Sequence, residues 1–238
     1  MVTPGSQGIY MYLNDRSRRF VAPVLITLCA LLLASTAEAR RPARLARGQQ
    51  AEFAAAESPR RAALRKHAPV DGQLELGVHG GMMLPSNNHG FYGTRWQMLQ
   101  PVLGSLGARI GYYPLRWFGG EVEAGGFPGR TAQGRYFNAF TVRGAAVLQL
   151  PYYRIVPFVL VGGGKMAVRT PAEILGSDVD PALQVGTGLK FRVRERLTLR
   201  AEWRASFTPG RLSTVGQPAM HNELLLGVSF VFGGRPRG

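Results

Sequence analysis

The feature that most constrains the fold of this chain is an alternation of apolar with polar or small side chains between residues 73 and 234. "LTLRAEWRASF" (197–207) shows it most clearly, since every second residue is Leu, Ala, Trp or Phe. Successive side chains of a β-strand point to opposite faces, so this period predicts a strand with one apolar face. Eight stretches follow the pattern: 73–84, 106–113, 119–126, 137–150, 156–165, 183–192, 197–207 and 221–234.

The fifth stretch, "VPFVLVGGGK", is ambiguous in phase, because it is apolar on both faces as far as Lys165. The connections alternate in length. "YPLRW", "PYYR" and "VRER" are short, whereas the segments after the first, third, fifth and seventh stretches are long. Strict alternation predicts antiparallel neighbours with tight turns at one end and long loops at the other. An even number of strands then leaves both termini at the short-turn end.

The polar face distinguishes a soluble sandwich from a membrane barrel. A sandwich turns its apolar face inward, whereas a membrane barrel turns it towards lipid. Here the polar face is rich in glycine, which suits the crowded interior of an eight-stranded barrel better than a solvated surface. It also carries charges of both signs that could pair when buried. The predicted interior polar network is Glu75, Arg109, Glu121, Glu123, Arg143, Lys190, Arg200, Glu202, Arg204 and Glu223.

Aromatic residues cluster near the ends of the predicted strands, as in the two interfacial girdles of membrane barrels. Plain enrichment of aromatics in strands explains their number but explains their placement less well. One group lies by the short turns, comprising Tyr112, Tyr113, Trp117, Phe118, Tyr152 and Tyr153. The other lies by the long loops, comprising Phe91, Tyr92, Trp96, Tyr136, Phe137 and Phe207.

The first 39 residues have the features of a secretory signal peptide. Arg16, Arg18 and Arg19 precede an apolar run from Phe20 to Ala34. An A-x-A cleavage site follows at Ala37 and Ala39, so we expect cleavage after residue 39 and export. An uncleaved N-terminal anchor is the alternative. Cys29 is the single cysteine, so its removal would leave no thiol and exclude disulfide or cysteine–metal frameworks.

Residues 40–72 are rich in Ala and Arg and nearly free of β-branched residues. They are predicted to be a disordered periplasmic linker, because they offer too little apolar surface to bury. The chain is strongly basic, with 29 Lys and Arg against 14 Asp and Glu. Nucleic-acid binding is nevertheless not expected. From residue 71 onward the basic residues are spread singly, and no basic helix, zinc-finger spacing or RNA-binding aromatic motif accompanies them.

Residues 73–232 resemble the OmpA-like outer membrane β-barrel family. The resemblance rests on the preceding signal peptide, the eight strands, and the alternation of short turns with long loops. The most specific similarity is the final stretch, "HNELLLGVSFVFGG", where Gly227, Phe230 and Phe232 match the family's Gly-x-x-apolar-x-aromatic assembly signal. The resemblance implies that the barrel assembly machinery reads this signal during insertion. Leu225 departs from it, standing where a polar residue is usual, and a short tail (233–238) follows the last Phe. No peptidoglycan-binding domain is expected.

No residue pattern indicates catalysis, a cofactor or a metal. "VGGGKM" lacks the spacing of a phosphate-binding loop, and the four histidines lack metal-ligand spacing. Some eight-stranded barrels are lipid acyl hydrolases, but no serine here has a convincing base. His221 beside Glu223 is interpreted as a strand boundary. Arg116, Arg154, Arg194 and Arg196 fall in the short turns, where they could contact anionic headgroups or simply keep the turns soluble.

The sequence thus predicts an all-β, eight-stranded antiparallel up-and-down transmembrane barrel in the outer membrane of a Gram-negative cell envelope. An interior filled by side chains leaves no wide pore, so the expected role is structural or surface-interacting through the outer loops. Outer-membrane lipid and lipopolysaccharide are the expected surroundings. The alternatives are a lipid A or phospholipid acyl hydrolase and a soluble secreted binding module. Arg95, Trp96 and Arg130 are candidate loop contacts, and the surface ligand is not identified.

Overall fold

The structure, a computed structural model, describes residues 67–151, 153–210 and 218–235. The predicted signal peptide with Ala37 and Ala39, most of the predicted linker, Tyr152 and the last three residues lie outside the described residues. Every regular element of the described part is a β-strand. No helix in these ranges is long and apolar enough to cross a membrane.

Eight strands form where the alternating pattern predicts them, with slightly longer bounds. β1 begins two residues before the predicted start, and β8 continues past Phe232 into the tail. The strands are β1 Asp71–Leu84, β2 Leu103–Leu115, β3 Phe118–Arg130, β4 Tyr136–Gln149, β5 Ile155–Arg169, β6 Ser177–Arg194, β7 Leu197–Thr208 and β8 Ala219–Arg235.

The strands form one closed barrel in which each pairs with its neighbours in the sequence and β8 closes on β1. All eight pairings are antiparallel. The closing register places Phe232 opposite Leu74 and Phe230 opposite Leu76. Closure leaves no free sheet edge, which is the condition for β-structure to reside in a bilayer.

The connections alternate as the sequence predicts. The β2–β3, β4–β5 and β6–β7 connections are short turns, and the register shifts at two of them, between Tyr112 and Leu115 and between Arg192 and Arg194. The long β1–β2 loop (85–102) and the other three loops lie at the opposite end. We call the two ends the turn end and the loop end.

Apolar side chains cover the outside of the barrel. Leu106, Leu183 and Leu226, for example, are 68%, 69% and 69% exposed. So many exposed large apolar side chains on one closed surface are expected of a barrel that faces lipid and not of a soluble protein. The structure also settles the phase of β5, where Val156, Phe158 and Leu160 point inward and Val161 points outward.

The interior consists of three layers. At the loop end, apolar side chains from six strands and the loops pack together, among them Met83, Phe91, Phe127 and Met166. At the turn end a smaller apolar cluster contains Tyr113, Val147, Phe158 and Leu160. Charged side chains fill the space between these two layers.

Glycines on the inner face make room for this filling. A Cβ added to Gly107 would lie 2.7 Å from ring atoms of His79, and one added to Gly188 would lie 2.7 Å from the ring of Phe158. By contrast, a Cβ on the outward-facing Gly144 would meet no atom closer than 3.9 Å. Inward glycine is therefore required by close approach of large side chains.

The girdle interpretation was wrong for three aromatic residues. Tyr113, Phe91 and Phe137 are 1%, 1% and 3% exposed, because they point into the barrel and fill its two apolar layers. The outward aromatic residues that remain at the turn end are Tyr112, Trp117, Phe118 and Tyr153, and Tyr136 is the most exposed at the loop end.

Candidate functional site: the charged interior and the loop cap

All ten residues of the predicted polar network are buried inside the barrel, each at most 6% exposed. They come from β1, β2, β3, β4, β6, β7 and β8, so the network connects strands all round the barrel. The structure adds Arg192 as a further buried cation. We call these eleven residues the charged network.

The centre of the charged network is a group of arginines around Glu121 and Glu202. Arg200 donates to Glu121 at 2.6 Å and, through Nε, to Glu202 at 2.8 Å. Arg109 donates to the same Glu202 oxygen at 3.0 Å. Arg204 donates to the other oxygen of Glu202 through Nε at 2.9 Å. Such shared, charge-assisted hydrogen bonds offset the desolvation of buried charges.

Towards the loop end the network continues through Glu123 to Glu223. Arg204 pairs with both oxygens of Glu123, and Arg143 donates to Glu123 through Nε at 3.0 Å. Arg143 also forms a bidentate pair with Glu223 at 2.6 and 2.9 Å. The hydroxyl of Ser206 donates to Glu223 at 2.7 Å. Glu223 is thus satisfied by one arginine and one serine.

Towards the turn end the network ends at Lys190, Glu75 and Arg192. Lys190 Nζ donates to Glu75 at 2.8 Å and to the hydroxyl of Tyr113 at 2.6 Å. Tyr113 in turn donates to Glu121, which joins this end to the centre. Arg192 donates to Gln73 and lies 3.7 Å from Glu75.

The loop end is covered by the β1–β2 loop, which we call the loop cap (residues 85–102). His89 forms an isolated bridge with Gly210, and Leu99 forms another with Thr131. In between, the backbone N–H groups of residues 93 and 94 both donate to the carbonyl of Leu175, at 2.8 and 3.1 Å. The loop cap therefore contacts all three other loops across the mouth of the barrel.

Stacked rings hold the loop cap to the barrel wall. Trp96 stacks on His89, His89 on Phe91, and Phe91 on His221, with centroids 5.6, 5.7 and 4.7 Å apart. His221 Nδ1 accepts the backbone N–H of Ser86 at 3.1 Å. Its Nε2 therefore carries the proton and donates to Thr208 Oγ1 at 2.9 Å.

His221 and Glu223 do not form a strand boundary, because β8 begins before them at Ala219. Both side chains are fully buried, and so is Ser206, the register partner of His221. Ser206 bonds to Glu223 and Arg143, whereas His221 bonds to Ser86 and Thr208. Ser206 therefore contacts the charged network, and His221 holds the loop cap. No group of three metal-ligating side chains occurs in the residues described.

The three assembly-signal residues lie on β8 where it pairs with β1. Phe230 and Phe232 face outward and are 56% and 48% exposed, whereas Gly227 lies opposite His79 on the inner face. Leu225 and Val231 share the inner face and are buried at 2% and 3%. An apolar side chain is therefore accommodated at both inward positions.

Sequence reasoning missed Tyr113 and the loop cap. The alternation of residues 183–192 puts Arg192 on the same polar face as Lys190, but Arg192 was not included in the predicted network. Tyr113 follows the same period as Arg109, but its aromatic character at a strand end suggested a girdle. The inward position of Phe91 has no local signal, since the residue lies in a loop and belongs to a buried cluster with residues of six strands.

No protein-family model and no curated protein sequence matches the chain. Solved structures do match. Neisserial surface protein A aligns at a TM-score of 0.50 and 15% identity, over 68% of this chain and 100% of that one. The N-terminal β-barrel domain of Pseudomonas aeruginosa OprF aligns at 0.46 and 15%, over 68% and 99%. Ail of Yersinia pestis aligns at 0.46 and 14%, over the same shares. The predicted eight-stranded outer-membrane barrel fold is confirmed.

Proposed function

We propose that the chain is an outer-membrane barrel of a Gram-negative cell envelope with a structural or surface-interacting role through its outer loops. The observation that carries this proposal is the inverted polarity of the barrel. Its exposed outside is apolar and its buried inside holds the charged network. The turn end then faces the periplasm and the loop end faces the exterior, as is usual for such barrels.

The filled interior supports a role other than bulk solute passage. Eight strands enclose a space that side chains can just fill. Here the two apolar layers and the charged network occupy it, and the loop cap covers the outer mouth. A solute would have to break several charge-assisted hydrogen bonds to pass, and we propose that no wide pore exists.

We further propose that the chain is not a lipid acyl hydrolase. Ser206 and His221 are 0% exposed, and each is engaged with other partners, so neither reaches the lipid phase. The check is to incubate the purified barrel with labelled lipid A and labelled phospholipid. We expect no acyl release. Turnover that is lost in Ser206→Ala or His221→Ala would contradict the proposal.

The proposal has three further parts. The chain is exported through the predicted signal peptide, is inserted by the barrel assembly machinery, and resides among outer-membrane lipid and lipopolysaccharide. The apolar outside supports it, because such a surface requires a bilayer.

The experiment expresses the full chain in a Gram-negative bacterium and separates the periplasmic extract from the inner and outer membranes. We expect the protein in the outer-membrane fraction, with unheated and boiled samples migrating differently on a gel because the closed barrel resists detergent. Recovery in the periplasmic extract with no such shift would overturn the proposal. A separate measurement is the conductance of the protein in planar bilayers. Stable conductance steps of porin size would overturn the proposal that no wide pore exists, but not the proposal of an outer-membrane barrel.

A further inference from the structure

Among the described residues, every charged side chain at an outward strand position near the outer loops is a cation. Along β3 to β6, outward positions are apolar or small except for Arg130 at the end of β3, Lys165 and Arg169 on β5, and a few uncharged polar residues. The two carboxylates at the start of β6, Asp178 and Asp180, occupy the alternate, inward positions. We call the outward surface that carries Arg130, Lys165 and Arg169 the outer rim.

These three cations have no carboxylate partner within the described residues. No salt bridge involves Arg130, Lys165 or Arg169, and all three are exposed. Arg130 lies over the ring of Tyr136, 3.9 Å from its centroid. An outward-facing cation on a membrane barrel is costly unless it meets a polar or anionic headgroup. The rim is thus complementary to negative charge.

A furrow lies between the two cations of β5. Phe140, Ala167 and Val179 form one register row across β4, β5 and β6. The outer two are 53% and 59% exposed, so the small Ala167 leaves a depression between them. The corresponding groove has a volume of about 590 Å³, with Arg169 and Asp178 also at its edge. Asp178 accepts from the backbone N–H of Val179 at 2.9 Å.

The cations and the furrow coincide. Lys165, Ala167 and Arg169 are alternate residues of one strand, so all three share the outward face. Lys165 and Arg169 are about 13 Å apart along the strand, from its rise per residue. Arg130 lies two strands away, on β3, beyond Tyr136. The furrow therefore lies between Lys165 and Arg169 on β5, with Asp178 at its edge beside Arg169 and with Arg130 to one side.

We infer that this rim surface binds a multiply phosphorylated glycolipid of the lipid A type. An acyl chain lies in the furrow over Ala167, and the phosphates contact Lys165, Arg169 and Arg130. Three separated cations on β3 and β5 match a headgroup with more than one phosphate, whereas an anionic glycerophospholipid with one phosphate could engage only part of them. The inference rests on the proposed function, since it requires the loop end to face the outer leaflet.

The test compares the folded full-length protein with Arg130→Gln/Lys165→Gln/Arg169→Gln for binding of diphosphorylated lipid A in neutral detergent micelles. Each cation near an anionic lipid raises the binding constant by a factor of about five. We therefore expect the triple variant to bind lipid A more weakly by a factor of about ten or more. The matched control is Arg116→Gln/Arg194→Gln/Arg196→Gln, which removes the same charge at the turn end. We expect it to bind lipid A like the unmodified protein.

A second pair of variants tests the furrow. Ala167→Trp fills it and is expected to weaken binding of lipid A but not of its fully deacylated phosphosugar. Ala146→Trp, at an outward position of β4 away from the furrow, is the control and is expected to change neither. Phosphatidylglycerol is the competing lipid, and it should bind more weakly than lipid A.

The outcomes separate the two proposals. Every variant is first checked for heat-modifiable migration and recovery in the outer membrane, and failure of the unmodified protein there overturns the proposed function. If the protein inserts but the two triple variants bind lipid A equally, the rim site is overturned. Equal binding of phosphatidylglycerol and lipid A would overturn the choice of ligand. Unchanged lipid A binding in Ala167→Trp would overturn the furrow as the acyl site.

Discussion

At the scale of single residues, the interior shows how charges are tolerated inside a narrow barrel. Arg204, among the largest fully buried side chains, contacts two carboxylates, Glu202 and Glu123, and lies 3.9 Å from a third, Glu223. A buried ion pair stabilises little relative to an apolar pair of the same volume, but removing one partner is strongly destabilising. The charged network is therefore a set of mutually dependent residues.

The residue-scale prediction concerns Glu223→Gln. This change removes the charge that Arg143 meets in a bidentate pair, while the volume stays the same. We expect the free energy of unfolding to fall by about 3 kcal/mol, because an arginine loses a buried partner. Urea unfolding of the barrel in lipid vesicles measures it.

Glu195→Gln is the control, because Glu195 lies exposed in the β6–β7 turn and makes no buried pair. Its effect should stay within about 0.5 kcal/mol. Replacing the whole pair, as Arg143→Met/Glu223→Leu, should recover part of the lost stability. Equal effects of Glu223→Gln and Glu195→Gln would contradict the coupling.

At the scale of elements, β8 closes the barrel on β1. It also carries Phe230 and Phe232 of the predicted assembly signal. Because both rings face outward and are about half exposed, at 56% and 48%, truncating either leaves no interior cavity. Loss of assembly can therefore be separated from loss of stability by comparing these positions with an outward aromatic residue outside the predicted signal.

We predict that Phe232→Ala lowers the assembled fraction in cells several-fold more than Phe118→Ala does, whereas the two variants lose similar stability. The reason is that both outward rings leave water for lipid on folding, but only Phe232 would be read during insertion. The measurement is the fraction of heat-modifiable protein in the outer membrane at a fixed time after induction, compared with urea unfolding of refolded protein. Phe118→Ala, an outward aromatic at the end of β3 and 38% exposed, is the control. Equal assembly of both variants would show that Phe232 carries no signal.

At the scale of the whole molecule, the two ends of the barrel differ in kind. The turn end has short connections with exposed arginines, whereas the loop end is covered by the loop cap and its stacked rings. The proposed function assigns these ends to the periplasm and the exterior, so orientation is a property of the molecule that can be tested directly.

We expect a cysteine at Asn87, exposed in the loop cap, to react with a membrane-impermeant maleimide on intact cells. A cysteine at Glu195 should react only after the cells are lysed, because the β6–β7 turn lies on the periplasmic side. Both variants carry Cys29→Ser, since Cys29 is the only native cysteine. Labelling at Glu195 but not at Asn87 on intact cells would reverse the orientation.

The sequence by itself determined the strands, their antiparallel order and the inverted polarity. These follow from a period of two and from alternating loop lengths, which are local properties of the chain. For the same reason, residues such as Lys190 and Arg204 could be assigned to the inner face from their spacing alone. The fold class could therefore be predicted before any contact was known.

Only the tertiary structure decided which charges meet and what covers the outer mouth. The partners of Arg143 come from β3, β7 and β8, and strand period says nothing of which side chains meet across the interior. The inward position of Phe91 and its stacking on His221 depend on the path of a loop that has no period. The same holds for the rim furrow, since Phe140, Ala167 and Val179 become neighbours only through the register of three strands. Contacts between distant segments are set by closure of the barrel, which no local pattern encodes.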